Sequence, residues 1–397
     1  MFAAFFVWSA GISSAQAHGT SSSKPPDAVH SQDYDKAIEA LKSALDDDPF
    51  NEKAKENLAS VYRARGWAFY ASGDFEKGIG DFRWASRLER DKNADTYLGL
   101  GYGSYSLRNN DDALYYLYDE VYLAPDDWRG HDLIGAIYYQ RGKLAESIDE
   151  WEMALRLMPE NAGLKERLAK AKKEFQVEGS FSKTDTYYFN IKYEGEEKRE
   201  LGELVLDILD SAYRDVGSDL DYYPREPIAV ILYTREQFSD VTDAPSWSSG
   251  IFDGNIRVPV GGSVDKMVLT AILYHEYAHA VTNMIAGHNI PTWVAEGVAM
   301  YEERHVHDMS QGIKGGKIIP LSSLAGPFMG MSGDEASLAY AESYSAVNFL
   351  VDRFGSYNLA KLLKLLGRGQ SIEDAVHECT GISFDDFQRY WIVGISG

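Results

Sequence analysis

The 397-residue chain has a single cysteine, Cys379. An intramolecular disulfide is therefore excluded, and so is a zinc site built from cysteines. Basic residues are also in short supply. Lys and Arg number 39 against 61 Asp and Glu, a net charge of −22. No cluster of Lys and Arg interrupts this balance, so the chain repels phosphate backbones and nucleic acid is not an expected partner. Long apolar runs are lacking as well. The run at residues 2–10 has signal-peptide length but is too short to span a bilayer. Ala15, Gln16 and Ala17 fit the small-x-small rule for cleavage, although no Lys or Arg precedes the run. The expectation is a signal peptide over 1–17 and export to a periplasmic or extracellular location. The mature chain would begin at His18 and have no transmembrane span.

What is present is ordinary for folded protein: 45% hydrophobic residues and an aromatic content of 13%, including 26 Tyr, which argues against disorder. A Ser- and Pro-rich stretch at 18–30 reads as a linker. From 31 to 178 the chain reads as helical and repetitive. Ile134, Gly135, Tyr138, Gly142, Trp151, Ala154 and Pro159 recur 34 residues earlier as Leu100, Gly101, Ala113 and Pro125 at matching positions. With a one-residue slip they recur again as Gly66, Phe69, Gly73, Phe82 and Ala85. A half unit carries Ala37, Leu41, Ala44 and Pro49. Small residues let paired helices approach, large ones fill the groove between pairs, and Pro ends the second helix. The pattern resembles the tetratricopeptide repeat. That resemblance implies an all-α solenoid with a concave face for a protein partner, closed by a polar helix over 164–178.

At Gly179 the composition changes. Residues 186–195 and 227–234 read as strands, 250–262 as a strand or hairpin, and the segment from Glu196 as an amphipathic helix. From Val264 onward the pattern is mostly helical. The expected fold class is therefore multidomain: the solenoid, then an α+β domain over 179–397.

The stretch YHEYAHAV lies inside a segment, 264–286, that contains no Pro or Gly before its last residue. His275 and His279 are four residues apart and share a helix face, a spacing at which two imidazoles can hold one zinc ion (Zn2+). Glu276 lies beside them, placed to take a proton from water. A third ligand is offered by Glu296, in a second helical segment among Trp293, Val294, Ala295, Gly297, Val298 and Ala299. A carboxylate in such apolar surroundings needs a partner.

This pattern, HEYAH followed by the Glu of PTWVAEGVAMYEE, resembles the gluzincin clan of HExxH zinc metallopeptidases. The resemblance implies a zincin-like domain with His275, His279 and Glu296 as zinc ligands and Glu276 as general base. It implies hydrolysis of a peptide or protein substrate, as an endopeptidase or an aminopeptidase. The hairpin at 250–260 would be the edge strand that pairs with substrate. The segment 340–355 resembles the helix that carries an oxyanion-stabilising Tyr in the aminopeptidases. Tyr340 fits that position, with Tyr344 as competitor. The chain departs from the pattern twice. Met300 stands where an Asp would orient a ligand histidine, leaving Glu302 and Glu303 as candidates. The hairpin has no Glu to hold a free amine, and only Asp253 is nearby. His288, His305 and His307 lie close in sequence and are not needed as ligands. The alternative expectation is a non-catalytic adaptor with a peptidase-like domain.

Overall fold

The computed structural model describes residues 31–195, 199–242, 248–260, 265–303, 318–328 and 331–396. The expected signal peptide, the linker, His305 and His307 fall outside the described residues. The chain divides into two compact units, one running through Phe175 and the other from Gln176.

The first unit is all helical: α1 (Ser31–Asp47), α2 (Glu52–Ala71), α3 (Phe75–Leu88), α4 (Ala94–Ser106), α5 (Asn110–Leu123), α6 (Trp128–Gln140), α7 (Leu144–Leu157) and most of α8 (Ala162–Glu178). Helices pair as α2 with α3, α4 with α5, and α6 with α7. Asn51, Asp74, Asn93 and Asp127 each cap a helix by accepting from a first-turn backbone N–H. Close pairing depends on small residues. A Cβ at Gly101 would lie 2.6 Å from Leu117, and one at Gly135 would lie 2.6 Å from Trp151. The turn inside each pair uses a left-handed residue: Gly73 (φ 82°), Arg108 (φ 60°) and Gly142 (φ 66°).

The second unit has a five-stranded sheet in the order β1-β2-β3-β5-β4. The strands are β1 (Ser182–Asp185), β2 (Phe189–Tyr193), β3 (Ile228–Tyr233), β4 (Ile251–Phe252) and β5 (Ile256–Pro259). β2, β3 and β5 are parallel, and the outer strands β1 and β4 are antiparallel to their neighbours. β3 is buried throughout, as the unbroken run IAVILY requires. Ile228, Val230 and Leu232 join the main core with α9 (Arg199–Leu220) and α11 (Lys266–Ala286). Ala229, Ile231 and Tyr233 pack with Phe238 and Val241 of α10 (Arg235–Thr242), with Val177 and Phe181 against them. Each large apolar side chain buried this way contributes about 1.5–3 kcal/mol. Behind β5, Arg257 is fully buried and answered on every side. It donates to Asp253 (3.0 Å), Glu178 (3.1 Å) and the Tyr233 hydroxyl (2.6 Å). β1 has no apolar alternation and carries no sequence signal of a strand. The rest of the unit is α12 (Thr292–Glu302), α13 (Gly333–Phe354), α14 (Ser356–Gly367), α15 (Ile372–Thr380) and α16 (Phe384–Ser396). No helix among the described residues is long and apolar enough to cross a membrane.

Between α5 and α6 lies one uncompensated group. Glu120 is fully buried, neither carboxylate oxygen has a hydrogen-bond partner, and Oε2 sits against the bare Cα of Gly130. Burial first, then the charge of Asp127, pushes its pKa up to about 8. The unfolded chain ionises this group near its ordinary value while the folded one holds it neutral. Its cost to folding is thus absent in acid, grows as pH rises from about 4.5 to about 8, and then levels. Thermal unfolding of the parent and Glu120→Gln should nearly coincide at about pH 4. The variant should melt higher by about 3–6 °C near about pH 8.5.

Candidate metal centre and active site

α11 is continuous because nothing in it breaks a helix. Asp265 caps it by accepting from Met267 N at 2.7 Å, and it ends at Gly287 with φ 60°. Its central turns are buried on all sides, from Ala271 to Thr282. This rigid, dry helix carries His275 and His279 one turn apart, with their Nε2 atoms 3.0 Å from each other. α12 starts at Thr292, just after Pro291, which stands at the N-cap in extended conformation, and Thr292 N donates to Ala325 O at 3.0 Å. Gly297 lets α12 lie directly on α13, since a Cβ there would meet the Ser343 carbonyl at 2.4 Å. Glu296, the residue before it, is thereby held inside the protein, only 2% exposed.

The three donors converge. Glu296 Oε2 lies 3.4 Å from His279 Nε2 and 3.7 Å from His275 Nε2. These atoms are mutually close enough to hold one metal ion, and all three residues are buried. Glu296 Oε2 has no hydrogen-bond partner. A buried, unanswered carboxylate oxygen facing two imidazole nitrogens has the donor chemistry that would suit a zinc ion. Burial, then the proximity of His279, pushes the His275 pKa down, so its imidazole is neutral and can present a lone pair. His275 donates through Nδ1 to Glu303 Oε1 at 2.7 Å, which leaves Nε2 as the lone-pair nitrogen.

Glu276 is fully buried, and neither of its oxygens has a hydrogen-bond partner. Burial raises its pKa well above the ordinary carboxylate range, and the charges of Glu296, Glu303 and Asp253 add to this. The start of β4 lies against it: a Cβ on Gly250 would come within 2.8 Å of Glu276 Oε1. The outermost strand of the sheet therefore abuts this carboxylate. Tyr340 of α13 is buried edge-on against Phe328, ring centroids 5.4 Å apart. Burial first, then Glu296 and Glu276, pushes its phenol pKa up, so both carboxylates act on it. Tyr344, the competitor, is half-buried against the apolar core. α13 begins at Gly333 behind a Ser332–Glu335 capping box, so Tyr340 sits two turns in and not at the helix start.

Of the residues singled out from sequence, the structure brings together His275, His279, Glu296 and Glu276, with Tyr340 in electrostatic reach. Asp253 is not available to a substrate amine, because Arg257 engages both its oxygens at 3.0 and 3.1 Å. The His288 side chain lies outside what is described. Two contributors lacked a clear motif. Glu303 follows Glu296 by seven residues, two helical turns, and so returns to the same face. That spacing separates it from Glu302. Gly250 carried no signal beyond being a glycine at a strand start.

Comparison with known proteins places both units. Residues 213–397 match the peptidase MA superfamily, and residues 26–66 and 63–127 match the tetratricopeptide repeat. The chain is 34% identical over 116 residues to the Hsp70-Hsp90 organizing protein of Triticum aestivum, over 29% of this chain and 20% of that protein. It thus spans about a fifth of that relative's length. It is 30% identical over 129 residues to the photosystem I assembly protein Ycf3 of Rippkaea orientalis (strain PCC 8801 / RF-1), over 28% of this chain and 73% of that protein. Among solved structures, the crystal structure of MamA aligns with a TM-score of 0.30 and 20% identity, over 37% of this chain and 80% of that one.

The contact between Glu303 and His275 yields a prediction. Glu303→Ala should weaken zinc binding about 10–100-fold, measured by competition with a chromophoric chelator, while Glu303→Gln should keep part of it. Equal affinity in parent and Glu303→Ala would remove the orienting role.

Proposed function

From the premise that this chain belongs to the tetratricopeptide-repeat proteins and carries a peptidase MA superfamily domain over 213–397, we propose that it is a zinc-dependent peptidase whose repeat unit engages a protein partner or substrate. The observation that carries the reading is the convergence of His275 Nε2, His279 Nε2 and Glu296 Oε2, with the unpartnered carboxylate of Glu276 on the same helix. His275, His279 and Glu296 would hold the ion. When bound, zinc supplies a Lewis acid that acidifies water and polarises a carbonyl.

The chain's own groups divide the remaining work. Glu276, kept basic by its dry pocket, accepts the proton of the attacking water and returns it to the leaving amine. Tyr340, whose phenol stays protonated far above neutral pH, donates to the oxygen on which charge develops. The Gly250–Phe252 edge offers backbone groups for an extended peptide, and the bare Gly250 leaves room for Glu276 to face it. The absence of a Glu in the hairpin favours an endopeptidase or an unusual specificity over a strict aminopeptidase. Export, read from residues 1–17, is part of the same proposal.

A second reading, a non-catalytic adaptor, draws support from relatives named as an organizing protein and an assembly protein. One comparison separates the two. A peptide library digested with parent and Glu276→Gln, read by mass spectrometry, should show cleavage at least about 100-fold slower in the variant with zinc content unchanged. Tyr340→Phe should lower kcat about 10²–10³-fold and leave KM near the parent value. Cleavage by Glu276→Gln at the parent rate would remove Glu276 from the mechanism, and none by the zinc-loaded parent on any peptide would favour the adaptor.

A further inference from the structure

The second helix of the middle repeat presents an unusual face to solvent. Along α5, Tyr115, Tyr118 and Tyr122 are 65%, 47% and 84% exposed. Their spacing of three and four residues puts them on one stripe, which Asp111 and Asp119 share. Large aromatic side chains grouped on a helix's outer face are uncommon unless something covers them. The repeat does not require them. The next repeat lies 34 residues on, and its α7 fills the positions of Tyr115, Tyr118 and Tyr122 with Asp149, Glu152 and Arg156. One repeat earlier, after the one-residue slip, Trp84 of α3 stands where Asp119 stands in α5 and is 50% exposed.

The charge around the stripe selects its occupant. Along α5 itself, Asp111, Asp112 and Asp119 lie at or near the surface, and the helix has no Lys or Arg. The basic groups of the solenoid already use this surface in a consistent way. Arg141 pairs with Asp111 at 2.6 Å, and Lys92 pairs with Asp119 at 2.6 Å while lying 5.1 Å above the Tyr97 ring. Lys143 sits 5.6 Å from the ring of Tyr138, whose hydroxyl is hydrogen-bonded to that of Tyr118. Phenol faces beside carboxylates bind cations by ring quadrupole and charge together. An acidic peptide would meet repulsion here, whereas a basic one can take up the pairing with Asp111 and Asp119 that Arg141 and Lys92 now make.

We propose that the α5 face is a docking surface for a Lys- and Arg-rich segment of a protein partner. This rests on the reading of the repeat unit as partner-binding and is independent of the metal centre, since no part of its test requires hydrolysis.

The test uses the full chain and fluorescein-labelled nona-arginine and nona-glutamate peptides, read by fluorescence anisotropy at physiological ionic strength. The parent should bind nona-arginine and not nona-glutamate. Tyr115→Ser with Tyr122→Ser should raise the nona-arginine Kd about tenfold. Tyr115→Phe with Tyr122→Phe should restore binding, because the ring face is kept. Glu146→Gln with Asp149→Asn on α7 removes the same number of surface groups and should change Kd less than about twofold. Circular dichroism should be unchanged in each variant, the altered side chains being exposed. The proposal is overturned if the parent does not bind nona-arginine, or if it prefers nona-glutamate. It is also overturned if the α7 variant weakens binding as much as the tyrosine variant. Self-association in sedimentation that the tyrosine variant abolishes would overturn it as well, by making a second copy the occupant.

Discussion

Three carboxylates are buried within one small region of the second unit: Glu276, Glu296 and Glu303. They lie beside two histidines, one of which burial keeps neutral. Removing carboxylates from water is costly, and the cost rises when they face one another. The strain is visible in Glu276, where burial and the charges of three neighbouring acids act in the same direction. A divalent cation held by His275, His279 and Glu296 would offset that cost at the point where the donors converge. Much of the second unit can be understood as the scaffold that holds these acids where water cannot reach them.

The scaffold works through a few close approaches. α11 is rigid because it is capped, unbroken and buried, so the two imidazoles keep one geometry. Gly297 allows α12 to lie on the backbone of α13, which fixes Glu296 and brings Tyr340 within reach of the same acids. Gly250 allows the edge of the sheet to abut Glu276. Glu303 holds the His275 ring by its far nitrogen. The sheet edge at Gly250, the Glu276 and Glu296 carboxylates and the Tyr340 phenol come from four separate parts of the chain and meet at one place.

The sequence announced some of this and hid the rest, for physical reasons. A helix with imidazoles one turn apart is a local feature, and so is a Glu inside an apolar helix; both could be read without a structure. The tetratricopeptide pattern was legible because small and large residues recur at a fixed interval. β3 was legible from six consecutive apolar residues. β1, SKTD, was not, because an edge strand with no buried face carries no alternation. Glu303 required choosing between two adjacent glutamates, and only the two-turn return to the face of Glu296 distinguishes them. The pairing of Asp253 with Arg257 was invisible, since it depends on how the hairpin folds over α8's last residue, Glu178. Gly250 has no side chain to announce its role.

The most direct test of the account is metal content. The purified chain, stripped with chelator and dialysed against zinc buffer, should bind one zinc ion per chain. X-ray absorption should show a shell of nitrogen and oxygen only, at about 2.0–2.1 Å. His279→Ala and Glu296→Ala should each lose the ion while the tetratricopeptide unit stays folded. A parent chain that binds no zinc, or a Glu296→Ala variant that retains it with an unchanged coordination shell, would contradict the account.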